Sequence, residues 1–127
     1  MNEVGMAADP VPRCRLPRSS RLPSRRRYLE IKRQGQRRLC GCLILNWVLL
    51  PPGSPPRLGV VTHRRLGGAV ARSRARRLLR EAFRRHQWDL TQPVDIVLVA
   101  RTPAACRSFT TVERDYLAGL RRAGLLR

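Results

Sequence analysis

The chain has 127 residues, a one-domain length, and its 27 Lys and Arg against 8 Asp and Glu give a formal charge of +19. Self-repulsion on that scale disfavours a compact state standing alone and calls for a polyanionic partner, nucleic acid first and an anionic membrane surface second. No apolar run is long enough to span a bilayer, and the opening residues lack a signal-peptide pattern, so a cytoplasmic protein is expected.

Residues 1–17 contain Pro10, Pro12 and Pro17 without a hydrophobic period and read as a flexible extension ahead of one domain over 18–127. Ser24 is a candidate N-cap for a short helix that carries Tyr28, Leu29, Ile31 and Lys32 and closes near Gly35. Leu39 to Leu50 is one long apolar run and reads as a strand. The run Pro51-Pro52-Gly53-Ser54-Pro55-Pro56 is a loop, since proline cannot join a sheet ladder. Arg57 to Thr62 reads as a returning strand, and two strands joined this closely are most simply an antiparallel pair.

Gly67 and Gly68 interrupt the chain before a helix from about Ala69 to His86. Pro93 blocks any continuation, and Val94 to Ala100 is apolar enough to be a strand covered on both faces. Thr110 and Glu113 match a capping box for a last helix. That helix carries Tyr116, Leu117, Leu120 and Ala123 on one side and ends near Gly124. The order helix, strands, helix, strand, helix implies an α+β or α/β domain with helices packed on one small sheet.

The central helix is the most informative element. Ala71, Ala75, Leu78, Leu79 and Ala82 fall within an arc of about 100° and form a packing stripe, with Phe83 at its edge. Arg72, Arg74, Arg76, Arg77, Arg80 and Arg84 occupy much of the rest. Glu81 is the sole acid, with Arg77 and Arg85 as its i−4 and i+4 neighbours. Mere solvation favours mixed signs, because like charges at i,i+4 repel by a few tenths of a kcal/mol, roughly, per pair. Arg72–Arg76, Arg76–Arg80 and Arg80–Arg84 are all like pairs, so the face is better explained by a polyanion. A face so uniformly arginine suits phosphate positioning and structured RNA more than base readout in a DNA groove, where Asn, Gln and Ser normally mix in.

Cys14, Cys40, Cys42 and Cys106 lack paired metal-ligand spacing and read as small hydrophobes, so no metal site is expected in the chain. His63 and His86 lie 23 positions apart with no acid pair beside either in sequence, so no catalytic group is assigned to the chain itself.

The segment Gly59-Val60-Val61-Thr62, Arg64-Arg65-Leu66-Gly67-Gly68-Ala69-Val70, then Arg72-Ser73-Arg74-Ala75-Arg76-Arg77-Leu78-Leu79-Arg80-Glu81-Ala82-Phe83 closely resembles the motif of the bacterial ribonuclease P protein component. Arg101-Thr102-Pro103-Ala104 after the apolar strand fits the same family. The resemblance implies an α+β fold of α-β-β-β-α-β-α order, with a left-handed βαβ crossover shared with one domain of a small-subunit ribosomal protein. It implies the protein subunit of an endonuclease that removes the 5′ leader from precursor tRNA. Catalytic groups and Mg2+ then belong to a catalytic RNA subunit, and the protein assists substrate and metal binding.

By the same resemblance Arg64, Arg65, Arg72, Ser73, Arg74, Arg76, Arg77 and Arg80 contact that RNA, and Tyr28, Lys32 and Asn46 line a cleft for the single-stranded leader. The chain departs from the family at Gly68 and Ser73, where the family has Asn. It departs also at Lys32 and Asn46, which stand where aromatics are common. The alternative reading is a structural RNA-binding protein, ribosomal or assembly-related. A DNA-binding or membrane-surface protein is a third class.

Overall fold

A computed structural model describes residues 16–101 and 107–127. Three helices, α1 (Arg25–Gln34), α2 (Ala69–His86) and α3 (Phe109–Ala123), pack on a sheet of β1 (Gln36–Cys40), β2 (Leu43–Leu49), β3 (Arg57–Val61) and β4 (Val94–Ala100). The fold is α+β in the expected α-β-β-β-α-β-α order. Residues 1–15 of the anticipated extension, with Cys14, and the segment 102–106, with Cys106, lie outside the described residues. Leu16 is buried in the core.

The helices begin and end for local reasons. Ser24 Oγ accepts the Arg27 N–H at 3.3 Å and starts α1, and Gly35 closes it with a bond to the Ile31 carbonyl. Helix α2 has the expected bounds, but its buried side is wider than the stripe, since Phe83 and Glu81 are buried as well. The capping box anticipated at Thr110 and Glu113 is not the cap of α3. Ser108 holds that position, its Oγ accepting the Thr111 N–H at 3.2 Å, and Glu113 is drawn instead to His86. Gly124 ends α3 in the left-handed region at φ 76.

Two expectations about the strands are corrected. The run from Leu39 to Leu50 is not one strand. It contains a hairpin that turns at Gly41 (φ 58) and Cys42, pairing Cys40 with Leu43 and Gln36 with Trp47. The polar first half of β1, an exposed edge, hides its strand character in the sequence. Nor do β2 and β3 pair. The sheet order is β1-β2-β4-β3, with β4 antiparallel to β2 and parallel to β3. The proline loop is long enough to step across an intervening strand, which needs only about 10 Å. The most apolar strand then takes the centre, where both faces are covered.

Alternation along the strands divides the two faces. Leu43, Leu45, Trp47, Leu58, Ile96 and Leu98 join α2 and α3 in the main core. Val97, Val48, Val61 and Val99 face α1 with Ile31, Leu22 and Tyr28 in a smaller cluster. Cys40 and Cys42 pack as the small hydrophobes expected, and burial together with the Asp115 carboxylate pushes the Cys42 thiol up to about 12.

One buried charge organises the smaller face. Asp95, fully buried in β4, accepts Arg57 Nε at 2.8 Å and Nη2 at 2.7 Å from β3, and Arg27 Nε at 2.8 Å from α1. The carboxylate raises the pKa of Arg57 further, by hydrogen bonding. Asp95→Ala strands two part-buried guanidinia beneath α1 and is expected to destabilise the fold by about 3–5 kcal/mol. The check is the urea midpoint at constant slope, and a midpoint equal to wild type would remove the ion cluster from the stabilising contacts.

Candidate nucleic-acid interface

Helix α1 covers only part of its sheet face, and the uncovered part is a groove of about 300 Å³. Its floor is Ile44, Val61, Val97 and Val99, and its α1 wall carries Arg25, Tyr28, Leu29 and Lys32. Tyr28 reaches down to β3 because Gly59 has no side chain. A Cβ at Gly59 would lie 2.5 Å from Tyr28 Cζ and 2.6 Å from its hydroxyl. Tyr28, Lys32 and Asn46, singled out together in the sequence, therefore do line one groove. Asn46 is buried, and its Nδ2 donates to the Val97 carbonyl at 3.4 Å, so its amide is partly committed to the sheet. Trp47 faces the other way and is core.

A second cavity of about 610 Å³ adjoins the groove, and Ile44, His63 and Val99 line both. It adds Arg64, Arg65 and Leu66 from the helical turn after β3, and Arg101 from the end of β4. Arg101 is fixed by donating to the Gly41 carbonyl at 2.8 Å. The groove arginines 25 and 37 and the neighbouring Arg101 are not singled out as contacts by the sequence. Arg25 shares the i, i+3 and i+7 spacing with Tyr28 and Lys32, which is the pattern that places it on their side of α1.

The arginine face of α2 is more ordered than a row of solvated charges. Arg72 Nη1 donates to the Gly67 carbonyl at 2.8 Å, and Arg74 Nη2 to the Arg107 carbonyl at 3.3 Å. Arg76 bridges Thr62 Oγ1 at 2.9 Å and Ser73 Oγ at 3.1 Å, so Ser73 serves to aim a guanidinium. These acceptors are neutral and leave the positive charge in place. Arg64, Arg65 and Arg77 are exposed, and Arg80 is part-buried. Gly68 precedes α2 without a side-chain cap, and a Cβ there would meet nothing within 4 Å, so the departure from Asn is not forced by space.

Two sequence expectations about charge partners change. Glu81 pairs with Arg84 (2.6 Å, i+3) and Arg85 (2.7 Å, i+4) rather than with Arg77. It is buried, and hydrogen bonds first from Arg84 hold its carboxyl below the usual range. His86, read as lacking an acid pair, has one. Its Nε2 meets Glu113 at 2.7 Å and its Nδ1 meets Asp89 at 3.2 Å. Glu113 comes from α3, packed across α2, so no local spacing reveals the contact. Every carboxylate among the described residues is thus engaged by an arginine, by His86 or, for Asp115, by the Cys42 N–H. Among those residues, none converge as three metal-binding side chains.

Comparison with known proteins agrees with this fold. The family model described as Ribonuclease P matches residues 16–124. The ribonuclease P protein component of Syntrophomonas wolfei is 34% identical over 110 residues, 87% of this chain and 92% of its own. That of Roseiflexus is 38% identical over 112 residues, 86% and 89% of the two chains. The Thermotoga maritima RNase P protein structure superposes with a TM-score of 0.70 at 30% identity, over 80% of this chain and 96% of that one. The Staphylococcus aureus protein, at 22% identity and a TM-score of 0.74 over 85% of this chain and 98% of that one, bears on the fold alone.

The ion cluster on α2 has a pH signature. A carboxyl whose folded pKa is lowered stabilises the fold above its unfolded pKa, and that stability is lost as pH falls through the folded value. Wild type is therefore expected to exceed Glu81→Gln in unfolding free energy near neutrality, with the gap closing on acidification below about pH 4. Denaturant titrations of both proteins across acid pH check it, and a gap independent of pH would mean Glu81 acts by shape alone.

Proposed function

Because the chain belongs to the ribonuclease P protein family, we propose that it binds a catalytic RNA through α2 and the turn before it, and holds the 5′ leader of precursor tRNA in the groove under α1. The observation that carries this reading is the separation of two surfaces. The N-terminal half of α2 keeps the positive charge of its arginines, while Glu81 pairs with Arg84 and Arg85 toward the other end. The groove instead offers an apolar floor, one aromatic wall and flanking cations. The first suits the dense phosphates of a folded RNA, and the second suits an unpaired strand, whose bases stack and whose backbone seeks cations.

In this reading hydrolysis is carried out by groups of the RNA subunit, and Mg2+ sits with that RNA. The donor set of the protein supports the assignment, since its described carboxylates are taken up by arginines, His86 and a backbone N–H. The protein's part is to screen phosphate repulsion and to fix the leader, which raises affinity for both substrate and metal. The reaction takes place in the cytoplasm, and residues 18–127 form a single RNA-binding domain, to whose core Leu16 also contributes.

Reconstitution tests the reading directly. Adding the chain to its cognate catalytic RNA and precursor tRNA at low magnesium is expected to raise 5′ cleavage above that of RNA alone, and no gain would overturn the proposal. A second measurement addresses the helix face. Arg65→Ala combined with Arg77→Ala removes two exposed cations and is expected to weaken binding of the RNA subunit. The log–log salt dependence should flatten by about one unit per lost phosphate contact. An unchanged slope would move both side chains off the interface.

A further inference from the structure

We propose that His63 is a second base-contacting group of the leader groove, partnering Tyr28 from the opposite end. The inference rests on the leader reading above and names a residue that reading does not include. Gly59, Val61 and His63 alternate onto one side of the extended chain, and Val61 lies in the groove floor. The backbone at His63 is still extended, at φ −90 and ψ 158. His63 lies four residues beyond the glycine that receives the Tyr28 ring, about 13 Å further along the strand direction. The two positions are thus far enough apart along the strand direction for the side chains to meet successive bases.

The imidazole is also uncommitted. His63 is exposed, precedes the helical turn of Arg64 to Leu66 without a side-chain cap bond, and no hydrogen bond engages its ring among the described residues. It lines both the apolar groove and the arginine-rimmed cavity beyond it. A strand leaving Tyr28 along the floor of Ile44 and Val99 meets His63 before it reaches Arg64, Arg65 and Arg101. Asn46 is less suited to the task, because its amide is turned to the Val97 carbonyl. A planar ring at such a junction offers stacking to any base without selecting its sequence.

The experiment compares binding of two precursor tRNAs, one with a full leader and one trimmed to a single leader nucleotide, to the holoenzyme reconstituted with the catalytic RNA. His63→Ala is expected to weaken the full-leader substrate by about 5- to 10-fold and to leave the trimmed substrate unchanged. His63→Phe should retain full-leader affinity, whereas His63→Gln should not, since it keeps polarity but not the ring. An unchanged full-leader affinity in His63→Ala, rescue by Gln equal to rescue by Phe, or equal losses on both substrates would each overturn the assignment while leaving the groove reading intact. A wild-type holoenzyme indifferent to leader length would overturn both.

Discussion

The interaction on which the rest depends is the carboxylate of Asp95, buried in the central strand and held by Arg57 from β3 and Arg27 from α1. A charge with no exposure must be paired, so Arg57 has to reach it from β3 and Arg27 from α1, which packs over β2 and β4. That single requirement sets where α1 sits on the sheet. With α1 so placed, Ile44, Val61 and Val99 stay partly uncovered and become a floor. A hydrophobic residue at position 95 could pack the same face as well or better, but it would not direct two particular arginines to one point.

Charge is divided by the same logic across the molecule. A chain with a formal charge of +19 has few acids, and of those described two, Glu81 and Asp95, are buried. Glu81 is drawn under Arg84 and Arg85, whose guanidinium also lies 4.5 Å over the Phe109 ring and so ties α2 to α3. His86 does the same through Glu113. These contacts gather at the C-terminal half of α2. At its N-terminal half, Arg72, Arg74 and Arg76 donate, among the described residues, to carbonyls and hydroxyls, which orient the guanidinia without neutralising them. The helix is consequently anchored at one end and positively charged at the other, next to Arg64 and Arg65.

Much of this was legible in the residues. The bounds of α2 follow from its glycine break and its period, and Ser24 and Gly35 mark α1 as capping chemistry requires. The long motif from Gly59 to Phe83 identified the family, and Tyr28, Lys32 and Asn46 do share one groove. The hairpin at Gly41 was hidden because an edge strand rich in Gln and Arg does not look like a strand. Thr110 fits the capping-box pattern better than Ser108 does, because that pattern gives no weight to where Glu113 is pulled by a distant histidine.

Local sequence determined the helices, the caps of α1, the alternation of the strands and the excess of positive charge, because each depends on residues within a turn or two of one another. Tertiary structure alone decided that β4 enters between β2 and β3, that Asp95 meets Arg27 across 68 positions, and that His63 borders the same groove as Tyr28. Those outcomes arise from competition among all the apolar strands for the doubly covered centre of the sheet, and from the need of one buried carboxylate for partners. Neither contest can be read from any short stretch of the chain, since the competitors lie far apart along it.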